Sequence, residues 1–161
     1  MKTTHHCLEC GQPISGGVSE FSQQLYGHPL CMKDQWLLGE SGATAQAVDL
    51  YLALKSRNFP VVLEYFDGRR HVDIALPGKL YIELNGKYHQ AITQAMTGLS
   101  NAVYATEKKI PTIMISYAML DNPRTFARVV DELSKACRVM SKPLTEFSVA
   151  CAPPFTAAQL Q

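Results

Sequence analysis

Three oxygen-bearing side chains stand on two short predicted strands near the middle of the chain. Asp73 lies in the alternating stretch 72–76, and Glu83 and Asn85 lie in a second stretch that follows the Pro77-Gly78 turn. Because strand side chains alternate between faces, these three should share one face of a hairpin. Carboxylate and amide oxygens are ligands that Mg²⁺ prefers. The pattern predicts a divalent-metal site at Asp73 and Glu83. The apolar residues predicted to share the opposite, buried face are Val72, Ile74, Ile82 and Leu84.

Cysteine and histidine pairs near the N-terminus form a second candidate metal site. Cys7 and Cys10 are separated by two residues, as are His28 and Cys31, and seventeen residues lie between the pairs. Thiolate and imidazole are the ligands that Zn²⁺ prefers, so the spacing predicts one structural zinc ion. The alternatives are unrelated buried thiols, or a ligand from the His5-His6 pair. A small apolar set is expected around the ion: Ile14, Val18, Phe21 and Tyr26.

The composition is that of an ordinary soluble domain. The chain has 161 residues, 18% of them charged and 47% hydrophobic, which suits one compact domain with a small appendage. A net charge of +1 excludes a uniformly basic surface, so any nucleic-acid contact must be local. We expect no membrane span and no secretory leader. Five cysteines without such a leader favour a reducing, cytoplasmic location and metal binding over disulfides.

Hydrophobic periodicity divides the chain into three parts. Residues 1–40 form the zinc-binding module, with a Gly- and Ser-rich linker at 39–42, and residues 141–161 form an irregular, Pro-containing tail. The intervening domain is predicted to be α/β, with three antiparallel strands and a fourth strand beside the third. Its predicted elements are a helix at 45–57, strands at 61–66, 72–76 and 81–85, a helix at 90–106, a strand at 112–116 and a helix at 122–140.

The motif from Asp73 to His89 resembles the core of a known nuclease family. An Asp, a short turn and then Glu-x-Asn-Gly-x-x-His is similar to the PD-(D/E)xK, or restriction-endonuclease-like, nucleases, in the branch of the very-short-patch repair endonucleases. The resemblance covers residues 42–140 and implies an α-β-β-β-α-β-α core. It also implies a DNA endonuclease that uses Mg²⁺ or Mn²⁺ held by Asp73, Glu83 and the carbonyl of Leu84. The pattern of residues 7–31 resembles half of a LIM-type or treble-clef-like zinc module.

The chain departs from the family pattern at two positions. Asn85 replaces the usual Lys, which leaves His89 as the candidate general acid or base, since an imidazole titrates near neutral pH. The other interpretation of His89 is a helix-start residue that bonds the backbone. Family members often carry a helix Glu, for which Gln46 or Asp49 is the substitute here. Asp49 is otherwise a solvated acid.

Three functions follow from these patterns. The first is a metal-dependent DNA endonuclease whose zinc module targets the substrate. The second is a nucleic-acid-binding protein that keeps the nuclease scaffold without catalysis, because fold alone does not establish function. The third is a protein-interaction adaptor built on the zinc module. The expected partners are accordingly DNA and, through the zinc module, a protein; the sequence fixes no oligomeric state.

Overall fold

A computed structural model describes residues 4–85 and 110–141 of the protein. The predicted helix at 90–106, His89 and the tail after residue 141 lie outside these described residues. The elements in chain order are β1 (His5–His6), β2 (Pro13–Ile14), α1 (Gly16–Tyr26), α2 (Met32–Glu40), α3 (Ala45–Lys55), β3 (Val62–Phe66), β4 (His71–Leu76), β5 (Leu80–Asn85), β6 (Thr112–Ser116), α4 (Tyr117–Leu120) and α5 (Pro123–Ser141).

The main sheet has the strand order β3-β4-β5-β6. β3, β4 and β5 are antiparallel neighbours, and β6 runs parallel to β5, with Tyr81 opposite Thr112 and Asn85 opposite Ser116. The predicted antiparallel meander and the place of the fourth strand are therefore confirmed. The protein is of mixed α/β type in the part that the structure describes.

Helices α3 and α5 pack against one face of this sheet. The apolar residues of α3 recur on nearly every face of the helix, so it is largely buried. The Thr44 side chain caps it by accepting a hydrogen bond from the backbone N–H of Ala47 at 3.3 Å. Cys137 of α5 is fully buried in the same core, as predicted for a structural thiol. Further members of this core are Leu50, Leu54, Ile74, Leu80, Ile82, Val130 and Leu133.

The N-terminal module packs directly on this domain. Cys7 and Leu30 belong to the same buried cluster as α3 and the sheet. An ion pair of 3.2 Å joins Lys55 Nζ at the end of α3 to Glu9 Oε2. The short link from α2 to α3 thus connects two parts that share apolar contacts.

Helix α1 is an element that the apolar pattern did not predict. Ser15 caps its start by accepting from the N–H of Val18, and Gly27 ends it with a φ of +69° and an N–H bonded to the Gln23 carbonyl. The expected apolar set around the metal is corrected at Phe21, whose side chain is 55% exposed. On a helix, Phe21 lies on the outer face, away from the buried Ser19 and Ser22.

The alternation of side chains breaks where Glu64 of β3 meets Asp73 of β4. Leu63 pairs with Ile74 and Tyr65 pairs with Val72. Glu64 and Asp73, which lie between these two pairs, are not paired with each other. Glu64 has a φ of +48°, which is rare for a residue with a side chain. The prediction that Val72 shares the face of Ile74, Ile82 and Leu84 is therefore wrong. Val72 packs in a second cluster, together with Ala75, Tyr81, Tyr65 and Ile110.

No helix in the two described ranges has the length and apolar character needed to cross a membrane.

Candidate functional site

Three cysteines and one aspartate converge in the N-terminal module. The ligand atoms of Cys7, Cys10, Cys31 and Asp34 all lie within 4.8 Å of one another. The Sγ atoms of Cys10 and Cys31 are 3.9 Å apart, and Asp34 Oδ2 accepts from the thiols of Cys7 at 3.0 Å and Cys31 at 3.1 Å. Three sulfur ligands and one carboxylate match the coordination number and ligand chemistry of zinc. This set could hold a metal ion such as zinc.

Two tight turns bring these ligands together. Cys7 bonds through its N–H to the Gln12 carbonyl and through its carbonyl to the N–H of Gly11, whose φ of +70° suits a residue without a side chain. Cys31 is the N-cap of α2, and its N–H donates to Cys7 Sγ at 3.2 Å. Asp34 follows in the first turn of α2, three residues later, on the side that faces the thiols.

Burial and hydrogen bonds control the protonation of the cluster. Burial raises the pKa of the Cys31 thiol. The backbone of Gln12 favours the Cys10 thiolate, but hydrogen bonds with Asp34, Cys7 and Cys31, together with desolvation, outweigh it and raise the pKa of Cys10 to about 12. Burial opposes the charged form of Asp34, yet the hydrogen bonds that Cys7 and Cys31 donate hold its pKa below the ordinary value. The Cys10 and Cys31 thiols therefore keep their protons until a cation replaces them.

The predicted ligand His28 lies elsewhere among the described residues. Its backbone carbonyl accepts from Ser22 Oγ at 2.8 Å, and its side chain interacts electrostatically with Asp49. Both line a cavity of about 300 Å³ with Tyr26, Asp121 and Phe126. Burial lowers the pKa of His28. Three of the four predicted zinc ligands, Cys7, Cys10 and Cys31, lie in the cluster, and its fourth member is Asp34. The sequence signal that could have identified Asp34 is the spacing Cys31-x-x-Asp34 at the start of a helix.

The second predicted site lies where β4 and β5 adjoin. Asp73 Oδ2 accepts from the N–H of Leu84 at 2.6 Å, and Glu83 Oε1 is bonded to Arg70 Nη1. Both acids are half-buried, and burial raises the pKa of each, partly offset by the positive charge of Arg70. Asn85 is half-buried at the end of β5, opposite Ser116. His89, the remaining candidate, lies outside the described residues.

Two charged residues at this site were not predicted from the sequence. Glu64 is half-buried, and burial and the charge of Asp73 raise its pKa. Its charge in turn helps to raise the pKa of Glu83. The side chain of Arg70 is only 19% exposed. The strand acids and Glu64 are more widely spaced than the cysteine cluster and do not form a comparable group of three.

The two substitutes for a helix carboxylate face other partners. Gln46 Nε2 donates to Asp121 Oδ1 at 3.1 Å, and Asp49 interacts with His28. The further acid that interacts electrostatically with Asp73 and Glu83 is Glu64, which lies on a strand and not on a helix.

Comparison with known proteins gives no relative. No family model matches the chain, and no significant match was found among curated proteins or solved structures.

Proposed function

We propose that the protein is a metal-dependent DNA endonuclease whose N-terminal zinc module helps to hold the substrate. The observation that carries the proposal is the pair of half-buried carboxylates, Asp73 and Glu83, on adjacent antiparallel strands. The order of helix α3, strands β3 to β6 and helix α5 is compatible with the core that the sequence resemblance implies.

The charges around these acids suit a divalent cation. Arg70 acts electrostatically on both Asp73 and Glu83, and Glu64 interacts with the same two acids. Burial is the main cause of the raised pKa of all three acids, and neighbouring negative charges add to it at Glu64 and Glu83. Asp73, Glu83 and the Leu84 carbonyl would hold Mg²⁺ or Mn²⁺, which favour oxygen ligands. A bound divalent ion would supply a polarised phosphate and a more acidic attacking water.

The remaining residues would position the reactants. In the proposed hydrolysis, a bond forms between a water oxygen and phosphorus, and the bond from phosphorus to one ester oxygen breaks. The attacking water loses a proton, and the leaving oxygen gains one. The Asn85 amide can donate a hydrogen bond to water or phosphate but is not a base. His89 is the proposed proton carrier, because an unperturbed imidazole titrates near neutral pH.

Cleavage of DNA by purified, zinc-loaded protein tests the proposal. We expect Mg²⁺- or Mn²⁺-dependent cleavage that Asp73→Asn and Glu83→Gln each abolish, because each change removes one anionic metal ligand with little change of shape. Glu132→Gln is the matched control, since Glu132 is exposed on α5 and pairs with Lys135. Intact DNA with wild type and with Asn85→Lys, in the presence of Mn²⁺, would reject the enzyme. If the same protein still bound DNA, the result would favour the inactive nucleic-acid-binding scaffold.

DNA binding has its own measurement. We expect weak binding that weakens with salt, with each neutralised phosphate contributing about −0.9 to the slope of log affinity against log salt concentration. Absence of binding to duplex, single-stranded and branched DNA at ~50 mM salt would contradict a nucleic-acid function.

A second candidate function is a protein-interaction adaptor, and the surface of the zinc module favours it. Large apolar side chains on α1 and α2 are exposed, and Trp36 is 64% exposed. Such residues, when grouped, mark interaction surfaces more often than scattered ones do. The exposed members are Phe21, Leu25, Met32, Trp36 and Leu37.

A further inference from the structure

We infer that Arg70 occupies the place of the divalent cation on the strand acids in the metal-free protein, and that metal binding turns its guanidinium toward the substrate phosphate. This inference rests on the proposed function and names the residue that couples the ion to the substrate. It concerns a cation of the chain itself that bonds directly to Glu83.

The backbone of Arg70 is anchored, and its side chain extends to the neighbouring strand. Its N–H donates to Asp67 Oδ1 at 3.0 Å, and its carbonyl accepts from the Asp67 N–H at 3.1 Å, so the turn before β4 anchors the backbone. The long side chain then crosses to β5, where Nη1 binds Glu83 Oε1. Its guanidinium carbon lies 5.9 Å from the centre of the Tyr81 ring.

The charges explain why this contact would be exchanged. The Arg70 guanidinium bonds through Nη1 to Glu83, and its positive charge also acts on Asp73. A divalent ion carries twice the charge in a smaller volume, so it would bind Glu83 and Asp73 together more strongly than Arg70 does. The displaced guanidinium would stay within reach of the same face because its backbone is anchored. A planar guanidinium with several N–H donors is well suited to bind a phosphate.

The alternative is a static ion pair that only compensates the charge of Glu83. The two cases predict opposite effects of Arg70 on the affinity for the metal. A cation that competes with the metal must weaken metal binding, whereas a static pair that shapes the site supports it. Removing the Arg70 charge should therefore tighten binding in the first case and loosen it or leave it unchanged in the second.

The experiment is a Mn²⁺ titration of zinc-loaded protein, followed by calorimetry or by the electron paramagnetic resonance of free Mn²⁺. We expect Arg70→Met and Arg70→Gln to bind Mn²⁺ about tenfold more tightly than wild type, because each removes a competing positive charge from a half-buried site. Arg70→Gln can still donate to Glu83, so it tests the charge even if Arg70→Met fails to fold. Arg69→Met removes the same charge from an exposed neighbour and should change the affinity less than about twofold, because solvent screens it.

Cleavage in the same variants supplies the second arm. Both Arg70 variants should cut DNA at least about tenfold more slowly at saturating Mn²⁺, since one charge-assisted contact to the phosphate is lost. Equal or weaker Mn²⁺ binding in both Arg70 variants would overturn the inference, as would undiminished cleavage. If wild type cuts no DNA while the variants bind Mn²⁺ more tightly, the exchange at Glu83 is supported and the proposed nuclease function fails. If no variant binds Mn²⁺, both fail.

Discussion

The two candidate metal sites differ in how their charges are balanced. In the N-terminal cluster, three thiols and the Asp34 carboxylate point at one another, and the hydrogen bonds among them need protons that a cation would displace. On the sheet, a cation from the chain itself, Arg70, already binds one of the acids. The first cluster could hold a metal ion, whereas in the second an acid is already paired with a cation of the chain.

This difference has a physical origin. Soft thiolates gain little from a guanidinium, so a zinc ion bound by them would act as part of the fold. Hard carboxylates form strong bonds with guanidinium, so they can be satisfied without a metal. A resident zinc ion and an exchangeable divalent ion are the expected consequence, and each of the following measurements tests one side of it.

Removal of zinc should produce the largest effect. We expect a strong chelator to lower the free energy of unfolding by more than about 4 kcal/mol, which corresponds to an ion present at about a thousand times its dissociation constant. The helical circular dichroism of α1 and α2 should fall, and three thiols should become titratable. Elemental analysis before chelation should give one zinc per chain. A zinc content near zero in freshly purified protein would contradict a resident zinc ion in the N-terminal cluster.

Substitution of Asp34, the fourth member of the cluster, should give the next largest effect. Asp34→Ala should weaken zinc binding by about 10- to 100-fold or more, because even outer-shell partners of metal sites contribute that much. His28→Ala is the paired variant and should leave zinc affinity within about twofold, since His28 lies beside Asp49. Competition with a coloured zinc chelator measures both. The reverse order of effects would restore His28 as the ligand and contradict the cluster.

The strand acids should be nearly neutral for folding. Asp73→Asn retains an oxygen that can accept from the Leu84 N–H, and it removes a charge that burial disfavours. We therefore expect the free energy of unfolding in urea to change by less than about 2 kcal/mol. A larger loss would mean that Asp73 belongs to a buried hydrogen-bonded network, and the metal-ligand assignment would lose its basis.

The pH dependence of the strand acids should give the smallest effect. Burial raises the pKa of Asp73 and Glu83, so as the pH falls they take up protons earlier than ordinary carboxyl groups, which titrate near about 4. Mn²⁺ binds the charged forms, so its affinity should fall on acidification from above that value. Without metal, the same shifts stabilise the fold at low pH, and that contribution is lost as the pH rises through the raised pKa values. Asp73→Asn should flatten the pH profiles of both Mn²⁺ affinity and stability. Unchanged profiles would exclude Asp73 as a metal ligand.

The sequence could predict features that depend on local spacing. The meander, the place of the fourth strand beside the third and three cysteines of the cluster follow from periodicity, turn residues and ligand spacing. The role of Asp34 was less visible because a carboxylate after a helix N-cap is usually interpreted as favourable charge near the helix start. Arg70 and Glu64 could not be assigned, because their positions depend on the break in alternation between β3 and β4. That break turns Val72 away from Ile74, and no pattern within either strand announces it.

Diffraction from crystals soaked in Mn²⁺ tests the central claim most directly. We predict an anomalous peak bound by the carboxylates of Asp73 and Glu83, with the Arg70 guanidinium moved off Glu83. A sheet site without manganese, in which Arg70 still binds Glu83 while zinc is present at Cys7, Cys10, Cys31 and Asp34, would contradict it.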